Sequence, residues 1–257
     1  MSHGLAVEGI TVRYGGHVAV DAVTLAAEPG RITGLIGPNG AGKTSLFNGC
    51  SGLVPLGAGT VSLNGVDLTV ASPTQRARLG LGRTYQRMEL FDSLTVAENV
   101  ALAHEAALAG RNPLRHLLAR RADGAEVRER TRQALEQCGI GHLAERRTGA
   151  LPTGQRRLVE LARVLAADFS ILLLDEPSSG LDIAETERFG EIARGVVAER
   201  GVGILIVEHD MALVMRICAD IYVLDFGKLI FSGTPAEVLA SPAVRAAYLG
   251  STELEVA

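Results

Sequence analysis

Short apolar runs separated by turn residues lie near both ends of the chain and predict β-strands. Residues 5–12 and 18–28 are such runs, broken at Gly15-Gly16 and ended by Pro29-Gly30. This pattern is typical of neighbouring strands in an antiparallel sheet. Two further hairpins are predicted, around 60–65 and at 221–225 with 228–231.

The short, mostly apolar run 32–36 predicts a strand, and the continuous apolar runs 171–174 and 204–207 predict strands of another kind. Strands buried on both faces, as in parallel sheets covered by helices, have this composition. The helical segment between the last two runs suits a right-handed crossover. We therefore expect an α/β fold with a mostly parallel core sheet and an N-terminal antiparallel β subdomain.

From about 87 to 150 the pattern is polar and helical. One predicted helix ends at Gly139, and the residues on its apolar face are Val127, Thr131, Ala134, Leu135 and Cys138. A later helix has an apolar face made of Leu158, Leu161, Ala162 and Leu165. We expect a helical subdomain over about 87–167, inserted in the α/β core of one domain that spans 1–257.

Composition and charge exclude several classes of function. The net charge of the 257 residues is −4, so no basic field draws the chain to nucleic acid. The Arg-rich stretch 111–132 is interrupted by acids and predicts a solvated helical face. Cys50, Cys138 and Cys218 are widely spaced, as expected of buried, reduced thiols in a cytosolic protein. No secretory signal is recognisable, and no apolar run approaches the roughly 20 residues of a membrane helix.

Residues 37–44 match the phosphate-binding pattern G-x-x-x-x-G-K-[ST] and form what we call the phosphate loop. Glycines let backbone N–H groups converge on a phosphate, a lysine adds charge, and a threonine hydroxyl can bind Mg²⁺. A predicted strand precedes the loop, and a predicted helix follows with its positive end towards the phosphates. The residues predicted to bind a nucleoside triphosphate here are Gly37, Pro38, Asn39, Gly40, Ala41, Gly42, Lys43, Thr44 and Ser45.

Polar side chains that follow the two other buried runs are candidates for the chemistry of hydrolysis. Asp175 and Glu176 end the first run, at the edge where α/β sheets bind ligands. We expect Asp175 to hold Mg²⁺ and Glu176 to polarise the attacking water. His209 follows the second run within reach of the same phosphates, and Gln86 can bind Mg²⁺ through its amide oxygen. The alternatives are surface acids at a strand end, an ordinary histidine and a solvated loop glutamine.

These motifs occur in an order that resembles the nucleotide-binding subunits of ABC transporters over nearly the whole length. The phosphate loop is followed by Gln86, the sequence LPTGQ, Asp175-Glu176, the sequence SGLD at 179–182, and His209. We call LPTGQ the signature segment; it consists of Leu151, Pro152, Thr153, Gly154 and Gln155.

The resemblance implies roles that the residues alone do not define. The signature segment and Asp182 would contact ATP held by an opposing subunit, and His209 would contact the γ-phosphate. Tyr14 would stack on adenine, although an aromatic residue packed on an edge strand is the alternative. The cofactors implied are ATP and Mg²⁺. The partners implied are a second ATPase subunit of the same or another kind, two transmembrane permease subunits and, indirectly, an extracytoplasmic solute-binding protein. The chain would lie at the cytoplasmic face of the membrane.

Several segments resemble one group within the family, the longer ATPase subunit of branched-chain amino-acid importers. They are 34–48, 83–86, 207–211, the helical insertion and the ending Tyr248-Leu249-Gly250. Lipopolysaccharide-export ATPases share part of this pattern and are the first alternative. A soluble ABC ATPase without a transport role and a P-loop kinase are further alternatives. The tandem cassettes and basic arms of the former are absent from the sequence, and the signature segment has no role in the latter.

One departure from the family pattern, Leu-Ser-Gly-Gly-Gln, concerns the signature segment. Pro152 and Thr153 replace the serine and the first glycine, so a side-chain donor is lost at Pro152. The branched-chain group often carries Leu-Pro-x-Gly here. We expect slow hydrolysis by the isolated chain and faster hydrolysis with a partner that has the serine.

Overall fold

The computed structural model describes residues 4–111 and 122–248. Its strands are β1 (Leu5–Tyr14), β2 (His17–Ala27), β3 (Ile32–Ile36), β4 (Ala58–Leu63), β5 (Val66–Asp67), β6 (Leu81–Arg83), β7 (Ile171–Asp175), β8 (Gly203–Val207), β9 (Asp220–Asp225) and β10 (Lys228–Gly233). Its helices are α1 (Lys43–Ser51), α2 (Pro73–Arg78), α3 (Val96–Arg111), α4 (Ala122–Gln137), α5 (Thr153–Ala166), α6 (Ile183–Arg200), α7 (Met211–Ile217), α8 (Pro235–Ala240) and α9 (Pro242–Tyr248).

The core sheet has the strand order β10-β9-β3-β8-β7-β6 and is parallel except for the β9–β10 hairpin. Both faces are buried, because Ile171 and Leu173 of β7 pack in one core and Leu172 and Leu174 in the other. The continuous apolar runs therefore form buried parallel strands, as predicted. Strands β7 and β8 are parallel neighbours joined by α6, as in the predicted crossover, and the right-handed sense of this connection stays a prediction.

The register of the core sheet aligns the strand ends that carry the predicted site. Val207 of β8 pairs with Asp175 of β7 on one side and with Leu35 of β3 on the other. The phosphate loop, the Asp175-Glu176 pair and the turn after β8 consequently emerge at the same edge of the sheet. This is the edge where α/β sheets bind ligands.

The N-terminal strands form a second, antiparallel sheet of order β2-β1-β4-β5, as predicted. The β4–β5 turn uses Asn64 and Gly65 in left-handed conformations, at φ 51° and 81°, which suits a tight hairpin. Helix α1 lies between the two sheets, with Leu46 and Phe47 fully buried in the core that both sheets share. The predicted fold class is therefore confirmed.

Helices α3, α4 and α5 pack on one another beside the core sheet. The predicted apolar faces of α4 and α5 are buried, and Gly139 ends α4 in a left-handed conformation, as expected. The stretch 111–132 is only partly testable, because 112–121 lies outside the described residues; within the rest, Arg128, Glu129 and Arg132 are exposed as predicted. The boundaries 87–167 and the single domain over 1–257 stay predictions.

Cys50, Cys138 and Cys218 are buried and form no disulfide, as predicted, and burial raises the pKa of each thiol to about 12. Among the described residues, no helix combines the length and the apolar character needed to cross a bilayer.

Candidate nucleotide-binding and hydrolysis site

The phosphate loop follows a path that two of its glycines make possible. Gly37 and Gly42 have φ angles of 151° and 102°, which side-chain-bearing residues rarely adopt. A Cβ atom added to Gly37 would lie 2.1 Å from the Leu224 carbonyl oxygen, and one added to Gly42 would lie 2.5 Å from the Ala19 carbonyl oxygen. The loop is therefore tightly enclosed by β2 and β9, and its shape depends on glycine.

Lys43 and the start of α1 present positive charge at this loop. The Lys43 Nζ donates to the carbonyl oxygens of Gly37 at 2.6 Å and Pro38 at 3.1 Å, which holds the ammonium group against the loop. Gly42 is the N-cap of α1, so no side chain caps the start of this helix. The first turn of α1, all of which the structure describes, contains no acidic residue. The N–H groups of that turn suit an anion such as a phosphate.

Asp175 is buried at the end of β7, and one of its two carboxylate oxygens accepts a side-chain hydrogen bond. Its Oδ2 accepts from Arg83 at 3.0 Å, whereas its Oδ1 is buried with no hydrogen-bond partner among the described residues. Burial raises the pKa of Asp175, and the nearby positive charges of Arg83 and Lys43 act in the opposite direction. An orphaned acceptor of this kind is costly unless a ligand satisfies it.

Magnesium fits this orphaned oxygen. Within the described residues, no group of three or more His, Cys, Asp or Glu side chains forms a self-sufficient metal site. Magnesium does not need one, since it commonly takes one or two protein ligands and completes its shell with water and nucleotide phosphates. Asp175 lies at the same sheet edge as the phosphate loop, where Thr44 is exposed on the first turn of α1.

Glu176 lies at the centre of a hydrogen-bonded group that joins three of the predicted residues. Its backbone has a φ of 48°, a left-handed conformation that costs a non-glycine residue roughly 1–3 kcal/mol. Its N–H donates to the Val207 carbonyl at 2.9 Å. Gln86 Nε2 donates to Glu176 Oε2 at 2.7 Å, and His209 Nε2 lies 2.8 Å from Glu176 Oε1. The structure thus brings Gln86, Glu176 and His209 together from three separate loops.

Two charged residues in the site were missed by the sequence analysis. The Arg83 side chain is 8% exposed, donates to the Ser51 hydroxyl at 2.6 Å as well as to Asp175, and lies over the Phe47 and Tyr85 rings. The one local feature of the sequence that could have indicated a role for Arg83 is its charge directly after Leu81-Gly82.

Glu208, the second missed residue, is buried between the turns that follow β7 and β8. Its carboxylate accepts from the N–H and the hydroxyl of Ser178, both at 2.7 Å, and from the His209 N–H at 3.2 Å. Burial raises its pKa, and the bonds from Ser178 oppose that effect. Glu208 therefore ties the segment after Glu176 to the backbone of His209.

The signature segment forms a second cluster with residues 179–182. Pro152 is the N-cap of α5 and supplies no side-chain cap bond, whereas Asp182 caps α6 through a reciprocal capping box with Glu185. A Cβ atom on Gly154 would lie 2.1 Å from Glu185 Oε1, and one on Gly180 would lie 3.3 Å from Thr153 Cγ2. The two segments are in direct contact, and Pro152, Thr153 and Asp182 are exposed at the starts of two long helices.

Tyr14 ends β1 beside the β1–β2 turn, and the residue is 46% exposed. Strand β2 passes against Gly42 through the Ala19 carbonyl, so this hairpin borders the phosphate loop. The role of Tyr14 and the roles of the other site residues stay predictions.

The chain belongs to the ABC transporter ATPase family. The family model described as "ABC transporter" matches residues 20–179, and the model "Branched-chain amino acid ATP-binding cassette transporter" matches residues 228–253. The recognition of the family from its motifs is thereby confirmed. The chain is an ATPase of the class that couples hydrolysis to transmembrane transport. Leu249 and Gly250 of the Tyr248-Leu249-Gly250 ending lie outside the described residues.

Curated relatives and solved structures agree with this assignment. The high-affinity branched-chain amino acid transport ATP-binding protein LivG of Escherichia coli is 39% identical over 96% of this chain and 97% of its own length. The corresponding protein BraF of Pseudomonas aeruginosa is 37% identical with the same coverage. The ADP conformation of MJ1267, an ATP-binding cassette of an ABC transporter, has a TM-score of 0.85 and 29% identity over 98% of this chain and 100% of that one. These similarities do not favour the lipopolysaccharide-export or non-transport alternatives.

Proposed function

We propose that this chain is the ATP-hydrolysing subunit of an importer for branched-chain or related amino acids. Similarity to LivG and BraF over 96% of the chain carries the proposal, since both are described as branched-chain amino acid transport ATP-binding proteins. The match of residues 228–253 to the branched-chain transporter model supports the same solute class independently of the phosphate loop.

The phosphate loop holds ATP in this proposal. Its backbone N–H groups and those of the first turn of α1 receive the phosphates, and Lys43 neutralises the terminal ones. Asp175 Oδ1, the Thr44 hydroxyl and the Gln86 amide oxygen are the groups that would hold Mg²⁺. When bound, Mg²⁺ would supply charge stabilisation for the phosphates. The exposed ring of Tyr14 stacks on adenine.

Glu176 is the general base. Its carboxylate orients the attacking water and accepts a proton from it, and the left-handed backbone at this residue directs the side chain towards Gln86 and His209. Gln86 donates to Oε2 and fixes the plane of the carboxylate. His209 contacts the γ-phosphate through its ring while Glu208 holds its backbone. Proximity of these groups limits the geometries open to the water.

A second ATPase subunit completes the site. The exposed starts of α5 and α6, with the signature segment and Asp182, offer N–H groups and side chains to ATP on the opposing subunit. Two permease subunits lie in the membrane, a solute-binding protein delivers the amino acid outside the cell, and this chain lies at the cytoplasmic face. The opposing subunit is either a second copy or a related ATPase.

Solute uptake by a strain that lacks this chain tests the proposed function. We expect loss of high-affinity uptake of leucine, isoleucine and valine, restored by the parent chain and not by Lys43→Ala, which removes the cation from the phosphate loop. A matched control is Lys228→Ala, since Lys228 is an exposed lysine paired with Asp21. Normal uptake of all three amino acids in the deletion strain, with loss of another solute, would reject the assigned substrate class.

A further inference from the structure

Three charged side chains of α5 hold the backbone of the segment that carries Gln86. Arg157 Nη2 donates to the Gln86 carbonyl at 3.0 Å. Glu160 Oε1 accepts from the Glu89 N–H at 3.3 Å, and Arg163 donates to the Glu89 carbonyl. Both ends of the segment 86–89 are therefore fastened to the helix that begins in the signature segment.

Arg157 and Glu160 form a buried ion pair within this helix. Arg157 Nη1 donates to Glu160 Oε2 at 2.9 Å, and the two residues are 5% and 6% exposed. A buried ion pair is weak evidence for a stabilising role, because desolvation offsets much of the attraction. A guanidinium group presents its donors in a rigid fork, which here spans Glu160 on one side and the Gln86 carbonyl on the other. The ion pair orients the Arg157 guanidinium so that it donates to the backbone carbonyl of Gln86.

The contacts continue without interruption from α5 into the catalytic group. The Arg157 fork fixes the Gln86 backbone, the Gln86 side chain donates to Glu176 at 2.7 Å, and His209 lies 2.8 Å from the same carboxylate. Helix α5 starts in the signature segment, about one turn before Arg157, and the proposed function assigns this segment to the opposing nucleotide. Helix α5 is thereby linked through hydrogen bonds to the carboxylate of the subunit's own site.

We propose that Arg157, set by Glu160, is a positioning residue that fixes Gln86 and through it orients Glu176. Because the signature segment and Arg157 lie on one helix, engagement of the opposing nucleotide adjusts the geometry of hydrolysis in this subunit's own site. This inference rests on the proposed roles of Gln86 and Glu176.

Two variants remove the fork in different ways. Arg157→Met alone would leave Glu160 buried and unpaired, so the main variant combines Arg157→Met with Glu160→Gln, which removes both charges and keeps an acceptor for the Glu89 N–H. Arg157→Lys keeps the pair with Glu160, but a single ammonium group does not reproduce the fork. The matched control is Arg156→Met, one residue earlier on α5, whose side chain bonds to Asp92 instead.

We expect both test variants to lower kcat for ATP hydrolysis roughly ten- to hundredfold, with Arg157→Lys at the smaller end, because misplacing a catalytic group by about 1 Å costs this much. The KM for ATP should change less than about twofold, since the phosphate loop is untouched. Arg156→Met should match the parent. Unchanged kcat in a folded Arg157→Lys protein would overturn the proposal.

A double-mutant cycle with Gln86→Ala separates positioning from general damage to the fold. If Arg157 acts through the Gln86 side chain, Arg157→Lys should lower kcat in the parent and have almost no further effect on top of Gln86→Ala. Equal losses in both backgrounds would overturn the inference and leave the proposed function intact. Parental turnover in both Gln86→Ala and Glu176→Gln would reject the proposed function itself.

Discussion

Replacing Pro152 by serine tests what the altered signature segment does. Pro152 is the N-cap of α5, with φ −65° and ψ 162°, and contributes no side-chain bond to the helix start. Serine is among the preferred N-cap residues, because its oxygen accepts from an N–H of the first turn. The same hydroxyl can also donate its proton to an acceptor, such as a phosphate of the opposing nucleotide.

The two effects of Pro152→Ser differ in size. A new N-cap stabilises the chain by about 1 kcal/mol, and loss of the rigid proline costs about 0.4–1 kcal/mol through the unfolded state. The free energy of unfolding of the isolated chain should therefore change by less than about 1 kcal/mol. A hydrogen bond to a charged phosphate contributes roughly 1.5–3 kcal/mol, which corresponds to about a ten- to hundredfold change in the closure of a self-paired dimer.

The assay compares ATP turnover of the isolated parent, Pro152→Ser and Pro152→Ala at saturating ATP, with urea unfolding of each. Pro152→Ala releases the same backbone constraint without adding a hydroxyl. We expect turnover to rise about tenfold or more in the serine variant only, while the free energy of unfolding of that variant stays within about 1 kcal/mol of the parent. Equal turnover of the serine and alanine variants would refute the role assigned to the missing hydroxyl, as would an isolated parent that already turns over as fast as the assembled transporter.

Three further substitutions test individual groups. Lys43→Ala should abolish most ATP affinity in an equilibrium titration with Mg²⁺, because a cation is lost from a buried site; unchanged affinity would contradict the assignment of the phosphate loop. Arg76→Met should lower the free energy of unfolding, measured in urea, by about 3 kcal/mol or more. The reason is that the buried Arg76 guanidinium donates to carbonyl oxygens at the end of α1, including those of Gly49 at 2.8 Å and Cys50 at 2.6 Å. A loss below about 1 kcal/mol would be too small for that role. Burial raises the pKa of Glu208, so its contribution to stability is greatest below the unfolded pKa of about 4.3 and is lost as pH rises through the folded value. The parent should therefore lose stability relative to Glu208→Gln as the pH rises above the unfolded pKa, and parallel pH profiles would be inconsistent with this sign.

Local sequence patterns predicted the positions of those parts of the candidate site that consist of a few consecutive residues. The phosphate loop, the acids after β7 and the histidine after β8 follow strands whose apolar runs are unmistakable, and parallel pairing brings those strand ends to one edge. The predicted strands and helices were found for the same reason. Elements without such a run were missed. Strand β6 has only three residues, and α2 has only six, although Ser72 and Gln75 form a capping box at its start and Pro73 is its first residue.

Contacts between distant segments could not be predicted in this way. Arg83 reaches Asp175 across 92 positions of the chain, and Arg157 reaches the Gln86 carbonyl across 71. Glu208 is joined to Ser178 across 30 positions. In the sequence these residues look like ordinary surface charges, and only the assembled sheet and α5 bury them. The supporting contacts of the site are therefore a property of tertiary structure.

ATP hydrolysis by Glu176→Gln in the assembled transporter tests whether Glu176 is the general base. Glutamine keeps the shape next to Gln86 and His209 but cannot take a proton from water, so we expect ATP to bind with parental affinity. The matched control is Glu187→Gln, an exposed acid on α6 paired with Arg216, which should hydrolyse ATP at the parental rate. Turnover should fall about 10²–10⁴-fold in Glu176→Gln. Turnover within a few-fold of the parent, with ATP bound, would contradict it.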